Sequence, residues 1–406
     1  MSKKVITCPY CFKKFNNTDV EYQCENIETS VDGTEKCPRE VDQRFNDHWG
    51  NVVMSKHFFK GRPFSLFGNT PKPSKCDKCG HESSRFVCPH CHNWLPTEMI
   101  AEGSEIISIV GAPNSGKTVY FFNLMRELER KGYLLGLVVT PQDEGPNRER
   151  KTSMIYREMI RRMYDDKLLP EKTPVNVGEK PVPLIFKVTN KKAGKNAGKT
   201  IYIVFYDTPG EAFEDVEQIS RMADHVSNSA GVILFIDPYN IQRLYSAIQA
   251  ASDGNAVAGG ISDNDNVLNS LLQKVDKAQS VDKPFAIVFS KIDVVLEGLS
   301  KEGAEELQNN IDMNSNSSFL RTKRFSLSEI DQISGALEAV SDEWDIGYMR
   351  AKIAEKYREE NIKMFAVSSL GSQPDGDTVG KIQPYRVMDP LVWILYKMGG
   401  FDIPVE

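Results

Sequence analysis

Gly111, Gly116, Lys117 and Thr118 fall at the spacing G-x-x-x-x-G-K-[ST]. Each residue type has a physical use at that spacing. Glycines let the backbone curl so that successive N–H groups point inward at a phosphate chain. A helix beginning there adds its unpaired N–H groups and the positive end of its dipole. Lys117 reaches toward β- and γ-phosphates, and the Thr118 hydroxyl is a ligand for Mg²⁺. Asn114 and Ser115 complete the turn. The flanks agree, with an apolar run at 106–110 and the helix-like VYFFNLMRELE at 119–129. A second stretch, GKNAGKT at 194–200, ends in the same letters, but its glycines stand one residue too close. It lies between two strand-like runs and is read as an exposed basic hairpin loop.

Further chemistry follows the apolar runs downstream. The run 200–206 ends in Asp207-Thr208-Pro209-Gly210. A carboxylate at a strand end beside the phosphate loop can hold Mg²⁺ through water, and a glycine three residues on lets an N–H approach the γ-phosphate. The run 284–289 leads into Ser290-Lys291-Ile292-Asp293. The Asp293 carboxylate can accept two hydrogen bonds from the N1–H and N2 amine of guanine, a donor pair that adenine lacks. The Lys291 stem can lie along the base. The run 363–367 leads into Ser368-Ser369-Leu370, whose backbone N–H groups could meet guanine O6. Asp237, after the run 231–236, is read as a strand-end turn residue.

All eight cysteines precede Ile100. Paired knuckles clustered this way favour metal over disulfides. Cys76, Cys79, Cys88 and Cys91 are expected to close one tetrahedral zinc site, and Cys8, Cys11, Cys24 and Cys37 a second. Four thiolates leave no open position, so both sites are structural. His81, His90 or His92 in the later module, and His48 or His57 in the earlier, could replace a cysteine. Phe58, Phe59, Phe64 and Phe67 are expected to pack over these modules. Lys60, Arg62, Lys72, Lys75 and Lys78 add local positive charge, which leaves nucleic acid open as a partner of the ribbons.

The elements that must position these groups are those of an α/β chain. Its 406 residues allow two or three domains with a sizeable core. The formal net charge of −6 argues against broad electrostatic binding of nucleic acid. No apolar run approaches the ~18 residues of a membrane span, and MSKKVITCPYC has no apolar signal core. A cytoplasmic protein without a membrane partner is expected. The expected domains are a zinc-binding module at 1–60, a zinc ribbon at 61–99 and a phosphate-loop domain at 100–406. The last should be a mostly parallel sheet with helices on both faces and the loop at the strand carboxyl ends.

GAPNSGKT, DTPG, SKID and SSL, in that order and at strand ends, resemble the GTPase domain of the translation-factor-related (TRAFAC class) P-loop GTPases. With zinc modules in front, the layout is similar to the prokaryotic double-GTPase group. The resemblance implies GTP and GDP as ligands with Mg²⁺. It also implies a nucleotide-dependent switch acting on a protein partner, in a prokaryotic conflict or signalling system. SKID departs from the pattern, with Ser290 where Asn or Thr is usual, which weakens the base-positioning hydrogen bond. Glu211 occupies the catalytic glutamine position after DTPG, where a carboxylate repels a γ-phosphate, so slow hydrolysis is expected. Asn114 matches the asparagine that, in bacterial GTPases with this loop, helps hold K⁺, which implies K⁺-stimulated hydrolysis. Asparagine also suits a turn on its own account. Thr173 is the choice for the switch threonine that meets Mg²⁺, with Thr140 and Thr152 as alternatives. Lys117, Glu211 and Thr173 are thus the expected catalytic set. Two rival readings are an ATP-dependent P-loop motor and a zinc-ribbon nucleic-acid-binding protein whose P-loop is structural.

Overall fold

A computed structural model describes residues 3–31, 33–50, 52–65, 68, 70–112, 115–143, 151–171, 183–206, 223–251, 264–273, 275–299 and 305–406. Asn114, Thr173, Asp207, Gly210, Glu211 and Phe67 lie outside the described residues.

The apolar runs become one seven-stranded sheet. Its strands are β1 (Ile106–Gly111), β2 (Leu137–Pro141), β3 (Leu184–Asn190), β4 (Thr200–Phe205), β5 (Gly231–Ile236), β6 (Phe285–Phe289) and β7 (Ile362–Ala366). They lie in the order β2-β3-β4-β1-β5-β6-β7. β4, β1, β5, β6 and β7 run parallel, and β3 is antiparallel to both of its neighbours. β1, β5 and β6 read IISIVG, GVILFI and FAIVF and are buried at every position. Such unbroken apolar strands require cover on both faces.

One face is covered by helices. Ile107, Ile109, Ile203 and Phe235 meet α1 (Lys117–Lys131), α2 (Thr152–Tyr164) and α7 (Asp389–Lys397). Across the sheet, Val232, Leu234, Ile287 and Met364 meet α3 (Gln242–Ala251), α4 (Asn264–Gln273), α5 (Ile292–Leu299) and α6 (Leu327–Ser341). That second helical layer covers β5, β6 and β7. Over β1, β3 and β4 the same face is closed by the cysteine-rich segment instead. Ile106, Ile185, Tyr202 and Val204 share one core with Ile6, Tyr10, Phe12, Phe15, Tyr22 and Phe59. The segment that sequence alone marks as a metal-bound appendage is therefore part of the sheet's second layer.

The loop 191–199 between β3 and β4 is exposed, as the rejected GKT stretch requires. Among the described residues, no helix is long and apolar enough to cross a membrane.

Candidate functional site

The eight thiols form two clusters, each with all four sulfurs within 4.8 Å of one another. The partition corrects the expected one. Cys8 and Cys11 join Cys88 and Cys91, while Cys24 and Cys37 join Cys76 and Cys79. Each site takes two ligands from either side of residue 60. The cause is visible in the backbone. Residues Glu21–Gln23 pair with both Phe58–Lys60 and Arg85–Val87 in a three-stranded sheet, which draws the last knuckle beside the first.

The clusters fit zinc. A tetrahedron with Zn–S bonds of about 2.3 Å has S···S edges of about 3.8 Å. Cys8 and Cys91 stand 3.7 Å apart, Cys11 and Cys88 3.8 Å, and Cys24 and Cys79 3.6 Å. N–H groups of Asn26, His90 and Asn93 donate to Cys24, Cys88 and Cys91 sulfurs at 3.5, 3.4 and 3.2 Å. Such outer bonds orient thiolate ligands. No histidine joins either cluster. His92 instead faces Asp42 at 2.7 Å and Glu21 at 3.3 Å and stacks on Phe58. Burial opposes its charging, but the two carboxylates hold its pKa above the usual value. His57 pairs with Asp77 at 2.7 Å.

The phosphate loop sits where β1 meets α1. Gly111 has φ 155°, and a Cβ there would stand 2.6 Å from the Phe235 carbonyl oxygen on β5. Gly116 has φ 81° and caps α1 in the left-handed region. Both glycines are thus required by the backbone. The Lys117 ammonium donates to the Ala112 carbonyl at 2.5 Å and to the Ser115 hydroxyl at 3.3 Å, and the Ser115 hydroxyl donates to the same carbonyl at 2.7 Å. Thr118 follows in the first turn of α1.

The second cluster of expected site residues lies after β6 and β7. Ser290 donates its hydroxyl to the Ile236 carbonyl at 3.1 Å, bracing the turn from the neighbouring strand. Lys291 adopts φ 53°, and Ile292 N–H binds the Val367 carbonyl at 3.1 Å, so the β6 and β7 loops are joined. Asp293 opens α5. Burial pushes its carboxyl pKa up, against the pull of the Ser368 hydroxyl and two backbone N–H groups, and its buried Oδ1 has no hydrogen-bond partner among the described residues. Ser368 N–H donates to the Tyr385 carbonyl at 3.2 Å, and the Ser368 hydroxyl accepts from Gly371 N–H at 2.8 Å. The Ser369 carbonyl accepts from the Asn123 amide of α1 at 2.8 Å. Asn123 therefore ties the helix that follows the phosphate loop to the SSL loop.

Three contacts were not visible in the sequence. Asp237 is a turn residue as expected, accepting from Tyr239 N–H at 3.1 Å, but its other oxygen pairs with the Lys291 ammonium at 2.8 Å. That ammonium also lies 4.7 Å from the centre of the Tyr239 ring. The third contact joins the first cysteine knuckle to both sides of the 207–222 segment. The Tyr206 hydroxyl stands 3.0 Å from the Pro9 carbonyl and 3.1 Å from that of Tyr10. On the far side, His225 stacks on Phe12 with ring centres 4.2 Å apart, and Phe12 meets the Tyr206 ring edge-on at 5.5 Å.

A sequence model of Double-GTPase 2 matches residues 105–344, which include the phosphate loop, Lys291 and Asp293. The chain belongs to the Double-GTPase 2 family. Its sequence is also 25% identical over 345 residues to the "Putative ESX-1 scaffolding and assembly protein SaeC" of Mycolicibacterium smegmatis, covering 82% of this chain and 85% of that one. Among solved structures, a small GTPase, Arl6 BBS3 of Trypanosoma brucei, overlaps with a TM-score of 0.28 and 11% identity, over 73% of this chain and 98% of that one. The Ski7 GTPase-like domain of S. cerevisiae overlaps with a TM-score of 0.31 and 12% identity, and the match spans 73% of this chain and 50% of that one. For this double-GTPase member the fold rests on the strand order described above.

Proposed function

We propose that this Double-GTPase 2 protein binds GTP and GDP with Mg²⁺, hydrolyses GTP slowly, and acts as a nucleotide-dependent switch for a protein partner. The observation that carries the reading is the state of Asp293. A buried carboxylate oxygen without a donor costs about 1–3 kcal/mol. Guanine supplies a matched pair of N–H donors to such a carboxylate, and adenine does not. Lys291, held between Asp237 and Tyr239, lays its stem against the base. Ser368 and Ser369 lie in the adjoining loop.

At the phosphate end, Gly111, Ser115, Gly116 and Lys117 cradle the β- and γ-phosphates. Lys117 then exchanges its contact with the Ala112 carbonyl for phosphate oxygens. Thr118 and Asp207 would hold Mg²⁺, which neutralises charge between the two phosphates. Gly210 brings its N–H to the γ-phosphate. Glu211 in place of an amide makes the intrinsic rate slow, Thr173 is the switch threonine, and Asn114 makes the rate K⁺-sensitive. The printed description of the mycobacterial relative as a scaffolding and assembly protein supports a protein partner, in a conflict, signalling or assembly system of a prokaryote. The zinc module's hold on Tyr206 and His225 supports its part in reporting nucleotide state.

Phosphate release from GTP and from ATP, in K⁺ and in Na⁺ buffer, tests the proposal. Slow GTP turnover that is faster in K⁺, negligible ATP turnover, and loss of the GTP turnover in Lys117→Ala are expected. Equal rates in the two salts remove the K⁺ assignment. ATP turnover matching that of GTP overturns the guanine reading.

A further inference from the structure

A shallow, widely open groove of about 590 Å³ lies on the zinc module between residues 60–62 and the hairpin that carries the Cys76 knuckle. Lys60, Arg62, Lys72 and Lys75 line it, with Glu82 as the acid on its wall. All four cations are exposed, and among the described residues none makes an ion pair. Elsewhere in the same module, Lys36, Arg44, Lys56, Lys78 and Arg85 are each matched to a glutamate. Lys3, Lys4, Lys13, Lys14 and Arg39 also lie outside ion pairs among the described residues, but the groove brings four such cations to one wall-lined site.

The concavity is also built rather than incidental. Tyr22 donates its hydroxyl to the Lys72 carbonyl at 2.9 Å, and Lys72 N–H binds the Pro63 carbonyl at 2.9 Å. A Cβ on Gly61 would stand 2.5 Å from the Ser74 hydroxyl and 2.6 Å from the Tyr22 ring. The two walls are therefore held in close contact, and Lys75 directly precedes the zinc ligand Cys76.

We infer that this groove binds an acidic segment of a partner protein. Four exposed cations without internal partners are matched by a run of carboxylates, which steer encounter and fix register. Single-stranded nucleic acid fits less well. It is held by aromatic platforms as well as charge, and among the described residues no aromatic ring lines the groove. The inference goes beyond the nucleotide chemistry, because the groove residues belong to the zinc module alone.

Fluorescence anisotropy of a labelled poly-glutamate peptide, with the full zinc-loaded chain, tests it. Neutralising Lys60, Arg62, Lys72 and Lys75 to Ala together should weaken binding by about tenfold, the sum of several exposed charge pairs. Lys191→Ala with Lys192→Ala and Lys195→Ala, on the exposed loop after β3, should leave it unchanged. Zinc content and melting temperature establish that the groove variant is folded. Should it unfold, Lys72→Gln with Lys75→Gln is the replacement, with a smaller loss expected. Equal binding in wild type and groove variant overturns the inference, as does an equal loss in the loop variant. A single-stranded oligonucleotide of matched charge that binds more tightly than the peptide, and is lost in the groove variant, also overturns it in favour of nucleic acid.

Discussion

Removing one oxygen atom tests whether the zinc module senses the nucleotide site. Tyr206 directly precedes Asp207, and its hydroxyl reaches the Pro9 and Tyr10 carbonyls at 3.0 and 3.1 Å. One proton is shared between two acceptors, so Tyr206→Phe removes about one hydrogen bond, worth ~0.5–1.5 kcal/mol. The ring and its edge contact with Phe12 remain. Phe12→Ala is a heavier change, because it empties a buried site stacked on His225 and costs ~3–5 kcal/mol. If the first knuckle restrains the residues on both sides of 207–222, loosening it shifts the balance between GDP-bound and GTP-bound states. The shift cannot exceed the contact's own free energy, so about 1 kcal/mol, or roughly fivefold in the ratio of the two affinities, is the expected size. Titration of GDP and a non-hydrolysable GTP analogue into wild type and Tyr206→Phe measures it, with a denaturant melt to register the stability loss. By reciprocity the analogue and GDP should also change zinc retention at the Cys8 site differently. A variant that loses ~1 kcal/mol of stability while keeping both nucleotide affinities would refute the reasoning and leave the contact as packing alone.

The zinc sites, His225 and the Arg386 pair each give a further outcome. Wild type should hold two zinc ions per chain, Cys8→Ser with Cys88→Ser one, and Cys8→Ser with Cys24→Ser none, by elemental analysis, because the clusters are interleaved. His225 is buried with its pKa pressed down to about 3 from 6.5. The unfolded chain therefore takes a proton that the folded chain refuses as pH falls through that window. His225→Phe should remove ~2 kcal/mol of the acid-side loss near pH 5, seen in denaturant melts across pH. Arg386 pairs with the fully buried Asp389 at 2.8 Å and with Glu329, while Ser317 donates to Asp389 at 2.5 Å. Arg386→Ala should cost ~3–5 kcal/mol of unfolding free energy, and adding Asp389→Asn should restore part of it.

Much of the parallel sheet was legible because its strands are unbroken apolar runs, each ended by a residue with a chemical use. Gly111, Lys117 and Asp293 could be placed at strand ends from local order alone. The zinc partition could not. A C-x-x-C spacing fixes which two thiolates share a turn, but which turns share an ion depends on Tyr22 pairing with both Phe59 and Phe86, a contact between segments far apart in sequence. Nor could the cover over β1 and β4 be read. Phe12 carries no local signal of a long-range contact, and only the fold shows that its ring meets Tyr206 and His225. Asp237 looked like a turn residue and is one. Its pairing with Lys291 crosses from β5 to β6, where no local pattern announces it.

Guanine selectivity through Asp293 is the central claim, and equilibrium titration tests it most directly. GDP, a GTP analogue and their adenine counterparts would be titrated into wild type, Lys117→Ala and Asp293→Ala. The account predicts far tighter binding of guanine nucleotides, a preference abolished by Asp293→Ala, and loss of phosphate-dependent affinity in Lys117→Ala. Adenine nucleotides binding wild type as tightly as guanine nucleotides, with Asp293→Ala unchanged, would contradict it.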